Sequence, residues 1–242
     1  MSEDVVVELL RRVPLFASLP AADLRIAAKS TRAFTKQKGA TIFDEGSPAD
    51  CCYVITSGRA KVVLSGGKTS EVILGTVEAH ELVGELSLLD NSPRSAGLVA
   101  LEECQLLRLP NAAFQALRNN RAFEDKLVVH VTAMLRRATE QLRAIYTYDS
   151  AERVAWCLAR LAVRTGRRVN GAMVISPRPP HQELADMTGC SRETVTRILL
   201  QFQKANWVRH DGESMTLNDS PFQRYLEIER AASRGRDLAQ VV

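Results

Sequence analysis

The spacing of hydrophobic residues changes twice along this 242-residue chain, so it divides into three segments. Between about residues 20 and 110, short runs rich in Val, Ile, Tyr and Phe alternate with turn signals. The turn signals include Gly39, Gly46, Gly58 and Gly66-Gly67. Turns at this spacing are typical of an antiparallel barrel or jelly roll. Two or three short helices are expected before the strands, with Pro14 and Pro20 as breakers.

The second segment, from about 120 to 148, has apolar residues at alternating spacings of three and four. They are Val128, Val131, Leu135, Ala138, Leu142 and Ile145. This is the a/d pattern of a coiled coil, and the intervening residues are largely polar. A core helix of a monomer is the alternative. Because the β-rich segment would already have its own core, the pattern favours a helix that pairs with a second copy of the chain.

The third segment begins near residue 150 with the helical stretch "SAERVAWCLARLAVRTG", which ends at Gly166. The next stretch, "GAMVISPRPP", predicts a short strand and a Pro-rich turn. It is followed by "HQELADMTGCSRETVTRILLQFQK", in which a short helix is interrupted by "TGC" and a second helix begins.

The residues around this interruption predict a helix-turn-helix. Ala185 offers a small side chain where two helices cross, and Gly189 tolerates the positive φ of a tight turn. Ser191 can cap the second helix, because its hydroxyl can accept from a free backbone N–H. Val195 supplies an apolar side chain that faces the first helix. The second helix is therefore expected from Ser191 to about Lys204.

The outward face of that second helix carries charges at its beginning. Arg192, Glu193 and Arg197 lie where a recognition helix meets the edges of DNA bases. Arginine can donate to both acceptors of guanine, and glutamate can accept from the cytosine amino group. A solvated charged surface is the alternative, but this scaffold favours base recognition.

A hairpin is expected after the recognition helix, in "NWVRHDGESMTLN". Strand-like residues flank Asp211-Gly212, which is a strong hairpin signal. Such a hairpin would form a wing, from which Arg209 or His210 could contact the phosphate backbone of DNA.

Composition and charge are those of an ordinary globular protein. Hydrophobic residues make up 45% and charged residues 25% of the sequence, and no apolar run is long enough for a membrane span. The acidic N-terminus lacks a signal peptide, which indicates a cytoplasmic protein. Residues 151–242 carry 14 Lys/Arg against 10 Asp/Glu, so the whole net charge of +4 belongs to the part that would bind DNA.

The five cysteines indicate neither disulfides nor a metal site. They are Cys51, Cys52, Cys104, Cys157 and Cys190. Their number is odd and no C-x-x-C pair occurs, so zinc and iron–sulfur frameworks are not expected. We interpret them as small buried hydrophobic residues in a reducing compartment.

Three stretches together resemble a known family. "GCSRETVTRIL" resembles the recognition helix of the cyclic-AMP receptor protein (catabolite activator) family of bacterial transcription regulators. "GATIFDEGSPADCCYVITSGRAKV" resembles its early β-roll strands, and "GELSLLDNSPRSA" its phosphate-binding cassette. The resemblance extends from about residue 10 to 220.

The resemblance implies an α+β fold in four parts. An N-terminal antiparallel β-roll that binds a cyclic nucleotide would span residues 1–120, and a long dimerisation helix 121–149. A winged helix-turn-helix would span 150–225, and a C-terminal tail 226–242.

The cassette implies a role for each of several residues. Arg94 would pair with the phosphate, and Ser95 would donate from its hydroxyl and its backbone N–H. Glu85 would accept from the ribose 2′-hydroxyl, and Gly84 would allow a close approach of the backbone. The full set implied by the resemblance is Gly84, Glu85, Leu86, Ser87, Arg94, Ser95, Ala96 and Thr139.

The base half of this site departs from the family. Aligning on Asp149 and Arg153 puts Ala138 and Thr139 where the family has two hydroxyl residues that meet the base. Loss of one hydrogen bond costs about 0.5–1.5 kcal/mol, so the affinity would fall severalfold without binding being lost. A different purine or a different effector is therefore the open alternative.

Relatives that sense gases or oxygen through haem or iron–sulfur clusters are a poor match. No cysteine precedes Cys51, and His80, His130, His181 and His210 form no evident haem site. His130 is interpreted as a polar surface residue of the long helix. No metal is expected, and cyclic AMP is expected as an effector rather than as a catalytic cofactor.

The resemblance also implies a target on DNA. The half-site would resemble TGTGA within a palindrome, with Arg192 and Arg197 on guanines, Glu193 on a cytosine and Thr194 on a phosphate. The expected DNA-binding residues are Gln182, Ser191, Arg192, Glu193, Thr194 and Arg197. RNA polymerase would be a further partner.

A ligand-gated homodimer is thus the favoured function. The ligand would lie between the β-roll and the long helix and would stabilise the end of that helix near Ala144–Asp149. The two recognition helices would then lie about 34 Å apart, one turn of DNA. One alternative is the same fold binding DNA without cyclic AMP, or responding to another nucleotide such as cyclic di-GMP. An enzyme is disfavoured because no nucleophile–base set is found, and the base-reading residues argue against a cyclic-nucleotide-binding scaffold that does not bind DNA.

Overall fold

A computed structural model describes residues 1–65, 71–218 and 220–230 of the chain. Its residues belong to two compact units, Met1–Val131 and a second that begins at Thr132. The predicted turn at Gly66-Gly67 and most of the predicted tail lie outside the described residues.

Two helices precede the strands of the first unit, as the sequence predicted. They are α1 (Glu3–Arg11) and α2 (Ala21–Ser30). Pro20 occupies the position before α2, where its fixed φ and missing N–H are tolerated. The buried face of α1 consists of Val6, Val7 and Leu10, at the spacing of one helical face.

The following elements are β1 (Arg32–Lys36), β2 (Thr41–Phe43), β3 (Cys51–Ser57), β4 (Ala60–Leu64), β5 (Val72–Val77), β6 (Leu82–Val83), α3 (Leu86–Asp90), β7 (Gly97–Ala100) and β8 (Cys104–Pro110). The strands form two four-stranded antiparallel sheets, in the orders β1-β8-β3-β6 and β2-β7-β4-β5. Gly39, Gly46 and Gly58 lie in the turns between the first four strands. The predicted β-roll is confirmed.

The first unit has two hydrophobic clusters. The smaller one includes Ile55, Leu98 and Leu106, each no more than 1% exposed. The larger one joins the helices to the roll and contains Phe16 and Phe123, whose rings stack with centroids 5.6 Å apart. Since Phe123 belongs to the long helix, the beginning of that helix is part of this core.

Two helices close this part of the chain, α4 (Asn111–Arg118) and α5 (Arg121–Thr147). The side chain of Asn120 accepts from the backbone N–H of Ala122 at 3.0 Å, which satisfies a free donor at the start of α5. The helix predicted from about 120 to 148 is therefore confirmed. Four apolar side chains of its predicted stripe are more than half exposed: Val128 at 63%, Leu135 at 67%, Leu142 at 55% and Ile145 at 59%.

The second unit contains a helix-turn-helix and a four-stranded sheet. Its elements are α6 (Ser150–Thr165), β9 (Arg167–Val169), β10 (Ala172–Ile175), α7 (His181–Thr188), α8 (Arg192–Lys204), β11 (Val208–Asp211) and β12 (Ser214–Leu217), followed by a helix at 220–230. The order of the strands in the sheet is β11-β12-β10-β9. Asp149 begins α6 through a reciprocal capping box with Glu152. The predicted winged helix-turn-helix is confirmed.

Two details of this sheet differ from the prediction. Strand β9 was not predicted, although Asn170-Gly171 joins it to β10 with positive φ at both residues, 48° and 82°. Such an Asn-Gly pair is typical of a two-residue hairpin turn. In the wing, Asp211 pairs with Ser214, so the turn residues are Gly212 and Glu213 rather than Asp211-Gly212.

The helices among the described residues are all too short or too polar to cross a membrane. The boundaries predicted for the four parts, at residues 120, 149 and 225, stay predictions.

Candidate functional site

The cassette of the first unit begins where β6 ends. Gly84 has a positive φ of 81°, and Glu85 directly precedes the short helix α3. That helix ends at Asn91 in the left-handed conformation, and the chain then passes through Arg94 into β7. The two ends of the cassette meet, because Arg94 Nη1 donates to the carbonyl oxygen of Gly84 at 2.6 Å.

Arg94 is a buried cation, with only 4% of its surface exposed. Its Nη2 donates to the carbonyl oxygen of Cys51 at 2.6 Å, and its guanidinium lies 4.4 Å from the ring centroid of Phe43. Within the described residues, its Nε has no hydrogen-bond partner and no carboxylate forms a salt bridge with it. A buried cation without a counter-charge is a suitable site for an anion.

Gly84 is required by the position of this arginine. A Cβ at residue 84 would lie 2.5 Å from Nη1 of Arg94, and the positive φ is also unfavourable for other residues. Glycine here therefore allows the guanidinium to approach the backbone closely.

Glu85 is almost completely buried, with 1% of its surface exposed. Its Oε1 lies 3.0 Å from Nε2 of His130 on α5. This distance is that of a hydrogen bond between the imidazole and the carboxyl group. The interpretation of His130 as a surface residue is therefore wrong: its side chain is 27% exposed and binds a buried carboxylate.

The remaining predicted cassette residues differ in exposure. Ser87 is buried and donates to the carbonyl oxygen of Pro93 at 3.3 Å, and Ala96 is buried. Leu86 is half-buried and Ser95 is exposed. Thr139 belongs to the second unit, where its hydroxyl donates to the carbonyl oxygen of Leu135 at 3.0 Å.

Sequence reasoning missed the groups that surround Arg94. Phe43 lies on β2 of one sheet, Cys51 and Tyr53 lie on β3 of the other, and only the packing of the two sheets brings them together at the cassette. Phe43 and Tyr53 stack with ring centroids 5.7 Å apart. Burial raises the pKa of Tyr53 to about 12 and also raises the pKa of Cys51. Both groups are therefore neutral at neutral pH, which leaves the charge of Arg94 uncompensated by them.

The helix-turn-helix has the geometry that the sequence predicted. Gly189 has a φ of 65°, and the Ser191 hydroxyl accepts from the backbone N–H of Thr194 at 3.2 Å. Ala185 and Val195 are buried between the helices, at 2% and 0% exposure. Arg153 supports the turn in a way not foreseen, since its Nε donates to the carbonyl oxygen of Thr188 at 3.0 Å.

The predicted DNA-binding side chains lie on the surface of the unit. Those that are exposed are Gln182, Ser191, Arg192, Glu193 and Arg197, and Thr194 is half-buried. Hydrogen bonds from the helix start, first from its own backbone N–H and then from Ser191, lower the pKa of Glu193. The carboxylate is therefore an acceptor at neutral pH, as recognition of an amino group requires.

Two histidines of the second unit, His181 at the start of α7 and His210 in β11, are partly buried. His210 Nδ1 lies 3.1 Å from Nη1 of Arg178, and His181 Nδ1 lies 2.8 Å from the hydroxyl of Thr196. Burial, and secondly the charge of Arg178, lower the pKa of both histidines. Both rings are therefore neutral at neutral pH.

Cys51, Cys52, Cys104 and Cys157 are buried, as predicted, whereas Cys190 is partly exposed. The described residues contain no group of three or more His, Cys, Asp or Glu side chains that could hold a metal ion.

Comparison with known proteins gives two family matches. Residues 34–121 match the cyclic nucleotide-binding domain, and residues 152–221 match the Crp-like helix-turn-helix domain. These matches cover the β-roll with its cassette and the winged unit with its exposed charged helix.

Curated relatives match over most of their length. A CRP-like cAMP-activated global transcriptional regulator of Mycobacterium tuberculosis is 28% identical over 230 residues, which are 95% of this chain and 99% of that protein. The cyclic AMP receptor protein of Thermus thermophilus is 30% identical over 197 residues, 81% and 88% of the two chains.

Among solved structures, the c-di-GMP responsive global regulator CLP of Xanthomonas campestris aligns with a TM-score of 0.68 and 22% identity. The alignment covers 82% of this chain and 99% of that one, and it supports the fold alone. Together with the cassette around the buried Arg94 and the exposed charged helix α8, these matches show that the chain belongs to the CRP family of transcription regulators, with a cyclic nucleotide-binding domain followed by a Crp-like helix-turn-helix.

Proposed function

We propose that the protein is a homodimeric transcription regulator whose binding to a palindromic DNA site is controlled by cyclic AMP. The guanidinium of Arg94, which is buried and forms no salt bridge among the described residues, carries this proposal. A cyclic nucleotide supplies one phosphate for this cation, together with a ribose hydroxyl for the nearby Glu85.

On the nucleotide side, Arg94 and Ser95 bind the phosphate, and Glu85 accepts from the 2′-hydroxyl. Arg94 Nε is buried and free of a partner within the described residues, so it is a donor available to a phosphate oxygen. Gly84, Leu86, Ser87 and Ala96 form the rest of the cassette, and Thr139 contacts the base.

On the DNA side, α8 enters the major groove of a TGTGA-type half-site. Arg192 and Arg197 read guanines and Glu193 reads a cytosine, since all three side chains are exposed at the N-terminal half of α8. Thr194 contacts a phosphate, and Ser191 and Gln182 are further DNA-binding residues. The protein acts in the cytoplasm, contacts RNA polymerase and has no catalytic activity.

The second candidate is a regulator that binds DNA without cyclic AMP or responds to another nucleotide. Ala138 favours it, because an alanine cannot supply a hydroxyl to an adenine base. The structural relative named as responsive to cyclic di-GMP makes that nucleotide the first alternative to test.

Isothermal titration of the full-length protein with cyclic AMP, cyclic GMP and cyclic di-GMP distinguishes the candidates. Micromolar binding of cyclic AMP that is lost in Arg94→Ala supports the proposal, because the variant removes the charge that holds the phosphate. Arg59→Ala is a matched control, since this arginine of the same unit pairs with Glu102 instead. Preference for cyclic di-GMP, or absence of nucleotide binding, would favour the second candidate.

A further inference from the structure

We propose that His130 is a positioning residue for the ribose of the bound nucleotide, acting through the carboxylate of Glu85. This inference rests on the proposed function of the cassette and extends it to a residue of the long helix α5. His130 does not itself contact the nucleotide in this proposal. It sets the direction from which Glu85 accepts the 2′-hydroxyl.

The burial of Glu85 makes a fixed donor necessary. A carboxyl group with 1% exposure has lost nearly all its water and needs hydrogen bonds from the protein in its place. Among the residues that the structure describes, the side chain that bonds to it is that of His130, with Nε2 3.0 Å from Oε1. The bond occupies one oxygen, and a carboxylate has about four acceptor positions. Acceptor capacity therefore remains for a ribose hydroxyl.

The imidazole is itself held in place by the packing of α5. Leu127, one turn before His130, is 3% exposed and belongs to the same core cluster as Leu88 of the cassette helix α3. Since the helix and the cassette share this core, the backbone of α5 at His130 is held beside the cassette. A hydrogen bond from this helix limits the rotamers that the Glu85 carboxyl can adopt, so the acceptor is oriented before the ligand arrives.

The chemistry of the ligand provides a direct test. 3′,5′-Cyclic AMP carries the 2′-hydroxyl, and its 2′-deoxy analogue lacks only that group. If His130 orients Glu85 for this hydroxyl, then removing the His130 side chain weakens the binding of cyclic AMP and leaves the binding of the 2′-deoxy analogue unchanged. A histidine that merely stabilises the domain would affect both ligands alike.

The experiment is isothermal titration of the full-length protein and of His130→Ala, His130→Gln and His80→Asn with both ligands. The wild type is expected to prefer cyclic AMP to 2′-deoxy-cyclic AMP by about tenfold, the equivalent of one hydrogen bond to a charged group. His130→Ala should reduce this preference to about twofold or less, mainly through weaker binding of cyclic AMP. His130→Gln, which keeps an N–H donor on a side chain of similar length, should restore most of it.

His80→Asn controls for loss of a histidine elsewhere in the roll. His80 has a positive φ of 68°, which asparagine tolerates, and it should leave both affinities unchanged. Equal weakening of both ligands in His130→Ala, or no weakening of either, would overturn the role of His130 while the cassette remains supported. Failure of the wild type to bind either ligand, with cyclic GMP and its 2′-deoxy analogue also unbound, would overturn both proposals.

Discussion

Two residues of the cassette, Arg94 and Glu85, have polar side-chain groups that are nevertheless buried. Arg94 is buried but charged, and two backbone carbonyls and an aromatic ring replace the water that it has lost. The carboxyl group of Glu85 is buried as well and is hydrogen-bonded to His130. Such groups cost stability unless something completes their hydrogen bonding, which is why they indicate a binding site rather than a structural core.

Gly84→Ala is expected to weaken nucleotide binding by about tenfold or more, the equivalent of a displaced charge-assisted hydrogen bond. The new Cβ would lie 2.5 Å from Nη1 of Arg94 and would push the guanidinium out of its position. Titration with cyclic AMP measures the loss. Gly75→Ala is the matched control, because nothing lies within 4 Å of a Cβ at that strand position. Equal affinities for both variants would show that the position of Arg94 does not matter for the ligand.

At the scale of the element, α5 is defined by its exposed apolar stripe. Val128, Leu135, Leu142 and Ile145 are each more than half exposed on this helix. Apolar residues at coiled-coil spacing that remain exposed in one chain indicate a surface for a second chain.

Leu135→Arg combined with Leu142→Arg is expected to convert the dimer into a monomer. Each fully buried leucine contributes about 1.5–3 kcal/mol, and two such residues on each chain are affected. Sedimentation equilibrium or light scattering measures the mass in solution. Arg136→Glu changes a charge on the same helix beside the stripe and should leave the dimer intact. Persistence of the dimer in the double variant would exclude α5 as its interface.

Most elements of the fold were predictable from the sequence, but one strand was not. The β-roll was predictable because turn glycines recur between β-rich runs, and the helix-turn-helix because Ala185, Gly189 and Val195 agree with it. Strand β9 was missed, although Asn170-Gly171 is a strong hairpin signal, because Arg167–Val169 is only three exposed residues long. A strand this short has too few residues for an alternating pattern to be seen.

At the scale of the whole molecule, one chain carries the cassette with the buried Arg94 in its first unit and an exposed charged helix, α8, in its second. Ligand control requires a coupling free energy between the two sites, and about 1–3 kcal/mol is sufficient for a 5- to 150-fold change in DNA affinity.

Saturating cyclic AMP is therefore expected to raise the affinity for a duplex with a TGTGA palindrome about 5- to 150-fold at constant salt. Fluorescence anisotropy of a labelled duplex measures this change, with a scrambled duplex alongside. Arg94→Ala should keep the unliganded affinity and lose the response, whereas Arg197→Ala should lose discrimination between the two duplexes. An affinity that no cyclic nucleotide changes would contradict the gating.

The sequence by itself determined the order of the parts, the helix-turn-helix with its exposed arginines, and the identity of Arg94 and Glu85 as cassette residues. These follow from local spacing, turn glycines and a resemblance carried by contiguous stretches. Only the tertiary structure decided which groups surround those residues. Cys51 and Tyr53 of one sheet and Phe43 of the other meet at Arg94 where the two sheets pack together, and His130 reaches Glu85 from 45 residues away along the chain. Contacts of this kind depend on how strands and helices pack, and no local periodicity encodes them.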